Sequence, residues 1–329
     1  MLSMSQDSEE TKGFDRRAVL GIGALALAGS SLEARAEEPS ETIALWPSTP
    51  PGGNALELAH RTLENSSSPT DRHLFSIAYP TLTVFRPTKP DGSALLIAPG
   101  GGFSYEAFDL EGAAPARLFA ASGVTSFVLT YRLPGEGWKN SPEVPLQDAQ
   151  RAIRLIRARG PRDFDLDPSR IGVLGFSAGG HVVASLATKF ASQAYAPVDD
   201  ADSLDARPSF AALLYPVVTM LPPYAHEASS EKLLGPNAPE KLRAAYSVER
   251  FVTTDTPPCF LCVAADDTDV PPDNTLAMFA SLRAAKIESE MHVFENGGHG
   301  FGLGAAGSPE SQWPQLFLRW GSAHRYFRG

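Results

Sequence analysis

Two periodicities alternate along this chain from Thr81 onward, and that alternation narrows the available folds more than any other feature. Short apolar runs rich in β-formers occupy residues 81–85, 94–98, 124–131, 171–175, 211–218, 259–264 and 289–294, with helical patterns between them. A strand that is apolar at almost every position needs cover on both faces, which intervening helices supply. The expected fold class is therefore α/β, a mostly parallel sheet flanked by helices. The clearest helix places Leu146, Ala149, Ile153 and Ile156 at spacings of three and four, and Gly160-Pro161 should stop it. Asp148, Arg151, Arg154 and Arg157 beside that stripe read as solvated helix surface and salt bridges. Residues 222–249 interrupt the alternation with mixed helical and loop character, where a small lid-like insertion shaping a substrate site could sit.

One junction between a run and a helix carries chemistry. Gly175-Phe176-Ser177-Ala178-Gly179 places Gly-x-Ser-x-Gly directly after an apolar run and ahead of the helical stretch 182–188. A sharp strand-to-helix turn crowds the backbone around its serine, so glycine is needed two residues before and two after. Ser177 is read as a nucleophile, and the Ala178 N–H at the helix start as a donor to a developing oxyanion. Pro99-Gly100-Gly101-Gly102-Phe103 follows the run 94–98, and its glycines let backbone N–H groups approach a substrate oxygen, with Gly101 or Gly102 as the second donor. A phosphate-binding loop is the competing reading, but no Lys-Ser/Thr follows and the Gly-x-Gly-x-x-Gly spacing is not met.

A carboxylate is expected on the loop after residues 259–264, where Asp266, Asp267 and Asp269 stand together without the ordered ligand spacing of a calcium loop. His299, in Gly297-Gly298-His299-Gly300 just past the last run, is the candidate base. Among the other histidines, His181 reads as a packed or surface helix residue and His226 as a candidate only for substrate contact. His292 falls within a run, and His60, His73 and His324 lie outside the core topology. A serine hydroxyl becomes a useful nucleophile when an imidazole takes its proton and a carboxylate fixes that imidazole's tautomer. Such chemistry needs no metal or organic cofactor.

These residues resemble a known group, the bacterial α/β-hydrolase esterases related to acetyl-xylan and feruloyl esterases. The resemblance rests on Pro99 to Phe103, Glu111-Gly112, Tyr131-Arg132-Leu133-Pro134, residues 145–153, residues 170–181, Thr256-Pro257-Pro258, Asp266-Asp267 with Val270-Pro271, and Gly298-His299-Gly300. It spans roughly residue 80 to the C-terminus. In the family's Asp-Asp-x-x-Val-Pro pattern the second aspartate is the triad acid, which implies Asp267 here, and the order Ser, Asp, His along the chain is that of the fold. Pro99 stands where many members of the wider superfamily have histidine, a change that leaves backbone donors intact. The resemblance implies a serine carboxylic ester hydrolase acting on a small-molecule or oligosaccharide ester such as acetylated xylan. Alternatives are a general short-chain carboxylesterase or lipase-like enzyme, a serine peptidase of the same fold, and a binding protein that has kept the fold without activity. Peptidases of this type usually carry a large extra domain, and the residues ahead of the core are too few for a propeller.

Three domains of the sequence follow. Residues 1–36 carry Arg16-Arg17, an apolar run over 18–28 and Ala34-Arg35-Ala36, the layout of an export signal cleaved after Ala36. The paired arginines resemble a twin-arginine signal, although Asp15, Val19 and Gly21 depart from the usual neighbours. The run is well short of the roughly 20 apolar residues a spanning helix needs, so no integral membrane span is expected in the mature chain, which would be periplasmic or secreted. Residues 37–75, rich in Pro, Ser and Gly, read as an irregular arm, and residues 76–329 as the catalytic domain. The net charge of −10 and pI near 5.2 supply no basic stripe for nucleic acid. Cys259 and Cys262 lie three apart in one apolar run, facing opposite sides of a strand, and read as small core residues. A monomer is the default assembly.

Overall fold

The computed structural model describes residues 38–53, 61–65 and 68–328. The expected export signal therefore lies outside the described residues. The strands in chain order are β1 (Glu41–Ala44), β2 (Arg61–Asn65), β3 (Ser68–Phe75), β4 (Thr81–Phe85), β5 (Ala94–Ala98), β6 (Glu106–Ala107), β7 (Thr125–Thr130), β8 (Ile171–Phe176), β9 (Ala211–Leu214), β10 (Cys259–Ala264) and β11 (Ser289–Phe294). An eight-stranded sheet runs β1-β4-β7-β5-β8-β9-β10-β11, and β2, β3 and β6 form a smaller one. From β7 to β11 every pairing is parallel, while β1 and β4 join antiparallel at one edge.

Burial explains the apolar runs. Every residue of β5, β7, β8, β9 and β10 is buried, as parallel strands between two helical layers must be. Alternate side chains enter two separate cores: Leu96 and Cys259 join one, Leu95 and Cys262 the other. The first core is closed by α2 (Val144–Asp163) and α3 (Ser177–Lys189), the second by α1 (Ala114–Ala121) and the aromatic stripe Trp313, Phe317 and Trp320 on the C-terminal helix. Because the chain leaves β5 for β7 on one side and returns to β8 on the other, the crossovers diverge at the C-terminal ends of β5 and β8. Open α/β sheets bind ligands at such a switch point.

Several expectations need correction. Residues 37–75 are not simply irregular, since β1 pairs with β4 and β3 pairs with β6. A strand of four residues that gains its order from a distant edge leaves no local periodicity to read. Helix α2 runs through Gly160-Pro161 to Asp163, because a proline in the last turn costs little ladder; the Phe164 N–H closes the end on the Gly160 carbonyl at 3.0 Å. Asp148 and Arg151 are buried rather than solvated. Loop 190–207 folds over that face of α2, so Arg151 pairs with Asp199 and Asp202, and Asp148 pairs with the equally buried Arg132 at 2.8 Å. Strand β9 ends at Leu214, not residue 218, since Tyr215 takes a φ of 36° and turns the chain. Among the described residues no helix is long and apolar enough to cross a membrane.

Candidate active site

At the end of β8 the chain turns into α3 within one residue. Ser177 holds a φ of 50°, a left-handed conformation that β-carbons disfavour and that strands entering helices at this angle require. The flanking glycines make the turn fit: a Cβ on Gly179 would lie 2.1 Å from the Ala98 carbonyl oxygen, and one on Gly175 would lie 2.3 Å from the Gly179 oxygen. Both neighbours are backbone, so neither can swing aside.

The sequence-derived residues come together here. Ser177 Oγ lies 2.8 Å from His299 Nε2, and His299 Nδ1 lies 2.8 Å from Asp267 Oδ2. The Asp267 side chain is fully buried, and its other oxygen accepts the N–H groups of Asp269 at 3.0 Å and Val270 at 2.9 Å, which fixes the carboxylate's plane. Asp266 accepts the Gly298 N–H at 2.8 Å and so ties the acid loop to the histidine loop. Burial pushes the His299 imidazole down, but the hydrogen bond and charge of Asp267, with Glu111 and Asp269 behind it, more than offset this and leave it raised.

Opposite the serine lies the glycine loop after β5. Gly101 has a φ of 128°, and a Cβ there would stand 2.1 Å from the Tyr105 carbonyl oxygen. Gly101 and Gly102 line the same cleft as Ser177 and His299. Ala178 is the second residue of α3, where an N–H has no partner inside the helix and the dipole favours negative charge.

Two histidines take different places. His181 is buried with Nε2 2.8 Å from the Tyr246 carbonyl, and burial drags it down to about 4, so it stays neutral and packs. His73, expected outside the core topology, instead lines the cleft beside the serine. The pairing of β3 with β6 sets it across from Ala107, where it stacks on Tyr105 at 4.2 Å and meets Asp71 at 3.1 Å. His226, at the start of α4 (Glu227–Leu234), reaches the cleft too, with Nδ1 2.8 Å from Ser229 Oγ; burial and then the charge of His299 lower it.

Sequence reasoning missed a buried layer under the site. Glu111 accepts the Gly100 N–H at 2.8 Å and the Tyr215 hydroxyl at 2.8 Å. That hydroxyl in turn accepts the Gly302 N–H at 3.0 Å, and the Tyr215 ring meets the His299 ring edge-on at 5.1 Å. Glu111-Gly112 stood among the resembling stretches, but nothing local to Glu111 signals a partner in Tyr215, which follows β9. Burial pushes the Glu111 carboxyl up, and its hydrogen bonds pull back only part of the way.

The family described as alpha/beta hydrolase fold matches residues 95–303, more than half of the chain. An acetylxylan esterase of Xylanibacter ruminicola is 30% identical over 68% of this chain and 44% of its own length. Endo-1,4-beta-xylanase B of Butyrivibrio fibrisolvens is 34% identical over 63% of this chain and 32% of its own. The chain thus spans less than half the length of these curated relatives. Among solved structures, an acetyl ester-xyloside bifunctional hydrolase from Caldicellulosiruptor lactoaceticus superposes with a TM-score of 0.72 at 31% identity, covering 88% of this chain and 98% of that one. A carboxylesterase from Lactobacillus plantarum WCFS1 gives 0.63 at 26% identity over 83% of this chain and all of that one.

Proposed function

The chain belongs to the alpha/beta hydrolase fold family, and from that membership we propose that it is a serine carboxylic ester hydrolase that deacylates a carbohydrate ester such as acetylated xylan. The observation that carries the reading is the unbroken line Ser177, His299, Asp267, with both contacts at 2.8 Å and the glycine loop opposite. In the proposed reaction His299 Nε2 takes the Ser177 proton while Oγ attacks the ester carbonyl. The N–H groups of Ala178 and of Gly101 or Gly102 hold the oxyanion. Collapse expels the alcohol with the proton from His299 and leaves acyl-Ser177. Water, deprotonated by His299, then releases the acid and restores the serine.

Two observations support the carbohydrate side of the reading. Relatives by sequence and by structure carry xylan- and xyloside-directed names. The cleft, about 410 Å³, is walled by polar groups that suit a hydroxyl-rich alcohol, among them Asp71, His73, Tyr105, His226 and Asp269. A general short-chain carboxylesterase is the second reading, favoured by the likeness to the carboxylesterase from Lactobacillus plantarum. Acetate release from acetylated xylan and hydrolysis of short-chain aryl esters, each by wild type and Ser177→Ala, decides between them. Serine-dependent release from both supports the first reading, and activity on aryl esters alone supports the second. Activity on amide probes but not esters would point to a peptidase instead.

Export through residues 1–36 belongs to the same proposal, because a polymeric plant ester is met outside the cell. Fractionation of expressing cells, with Arg16 and Arg17 both changed to Lys, tests it: loss of exported protein supports the twin-arginine route.

A further inference from the structure

The geometry points to Glu111 as a positioning residue for this reaction, a second buried carboxylate that locks the oxyanion loop and the histidine loop to one another. The inference rests on the reading of Ser177 as nucleophile. Two loops must stand in fixed relation for the site to work: 99–105, which carries the oxyanion donors, and 297–302, which carries the base. They come from opposite parts of the chain and share no strand pairing. Glu111 spans the gap, with Oε2 on the Gly100 N–H at 2.8 Å and Oε1 on the Tyr215 hydroxyl at 2.8 Å. Tyr215 continues the chain of contacts by accepting the Gly302 N–H at 3.0 Å and by packing its ring edge-on to His299.

The fit is close on each side. A Cβ on Gly100 would fall 2.6 Å from Glu111 Oε2 and 2.8 Å from Ser177 Cβ, so the carboxylate lies just behind the nucleophile. Trp313 pins the far end of the link, donating Nε1–H to the Gly302 carbonyl at 2.8 Å, and Tyr131 donates its hydroxyl to the Pro99 carbonyl at 2.9 Å. Glu111 itself is only 4% exposed. A carboxylate at this depth is expensive unless its oxygens are satisfied, and each has its donor here.

Charge gives the arrangement a second effect. The ionisable groups facing Glu111 are His299, Asp71, Tyr105, Tyr131 and Tyr215. Of these only His299 can become positive, and it does so when it takes the serine proton. Glu111 therefore favours the imidazolium form from a direction different from that of Asp267, while Asp71 opposes ionisation of Glu111.

The test uses Glu111→Gln, which keeps shape and removes charge, and Tyr215→Phe, which keeps the carboxylate and cuts the link. For Glu111→Gln on 4-nitrophenyl acetate, kcat should fall about 10-fold with KM within about twofold, since misplaced donors weaken the transition state more than substrate binding. The acid limb of kcat/KM should also move to lower pH, because the imidazolium loses a facing negative charge. Tyr215→Phe should lower kcat while leaving that limb at the wild-type position. A purely structural role would lower the melting temperature without moving the limb, and that result overturns the inference, as does unchanged kcat in both variants. Should Glu111→Gln fail to fold, Tyr215→Phe decides alone: unchanged kcat overturns the link and reduced kcat with an unmoved limb supports it. Full activity of Ser177→Ala would instead sink the underlying nucleophile reading, whatever the Glu111 variants do.

Discussion

At the scale of single residues, the account depends on the state of one imidazole. Asp267 and the carboxylates behind it raise His299, and the base works only when Nε2 is free. Activity is therefore lost as pH falls through a value above the ordinary 6.5 of histidine. A pH profile of kcat/KM on an aryl acetate should place the acid limb there, and a limb below 6.5 would contradict the geometry. Asp267→Asn keeps the side-chain shape but leaves Nδ1 facing an amide that can stabilise the wrong tautomer. Its kcat should drop by about 10³- to 10⁴-fold with little change in melting temperature, measured on the same substrate. Gly179→Ala is a different kind of test, because its Cβ meets only the backbone of Ala98 and Pro99. It should cost about 1–3 kcal/mol in urea unfolding and also reduce kcat, since the strain moves the glycine loop.

Among elements, the pieces that hold the switch point together were unequally visible. Strands β5, β8 and β10 were legible because each is a continuous apolar run cut off by glycine, serine or aspartate. The nucleophile turn, the acid loop and the histidine loop each begin where such a run ends, so the candidate residues could be read with their elements. Strand β1, the hairpin of β2 and β3, and the cover over α2 were not legible, since they are defined by partners far away in sequence. Trp46, just past β1, donates to Asp148 of α2 at 2.8 Å, and Asp148 pairs with Arg132 just past β7, a contact spanning three elements that no local pattern encodes. Asp148→Ala leaves the Arg132 guanidinium buried and unpaired, and should lower stability by about 3–5 kcal/mol by urea denaturation. Specific activity of the folded fraction should stay near wild type, because the pair lies outside the cleft. The hairpin has the opposite signature. His73→Ala should leave stability nearly unchanged but raise KM for acetylated xylan more than for an aryl acetate, a ratio read by parallel steady-state assays.

For the molecule as a whole, the doubly covered parallel sheet explains why chemistry from residues 99 to 302 converges. Its central strands are rigid and wholly buried, so loops at their C-terminal ends are the parts free to vary, and all the proposed catalytic groups sit on them. Burial and hydrogen bonding under the site, at Glu111 and Tyr215, extend that rigidity to the loops. Those two residues were hidden from sequence reading because a buried polar layer has neither the periodicity of a core nor the glycine signature of a turn. The central claim is that this scaffold makes one serine a nucleophile through one imidazole. The measurement that tests it most directly is stoichiometric labelling with a fluorophosphonate, mapped by peptide mass spectrometry in wild type, Ser177→Ala and His299→Ala. The account predicts one adduct per chain on Ser177, absent in Ser177→Ala and formed far more slowly in His299→Ala. An adduct on another residue, or labelling of Ser177 at an undiminished rate without His299, would contradict it.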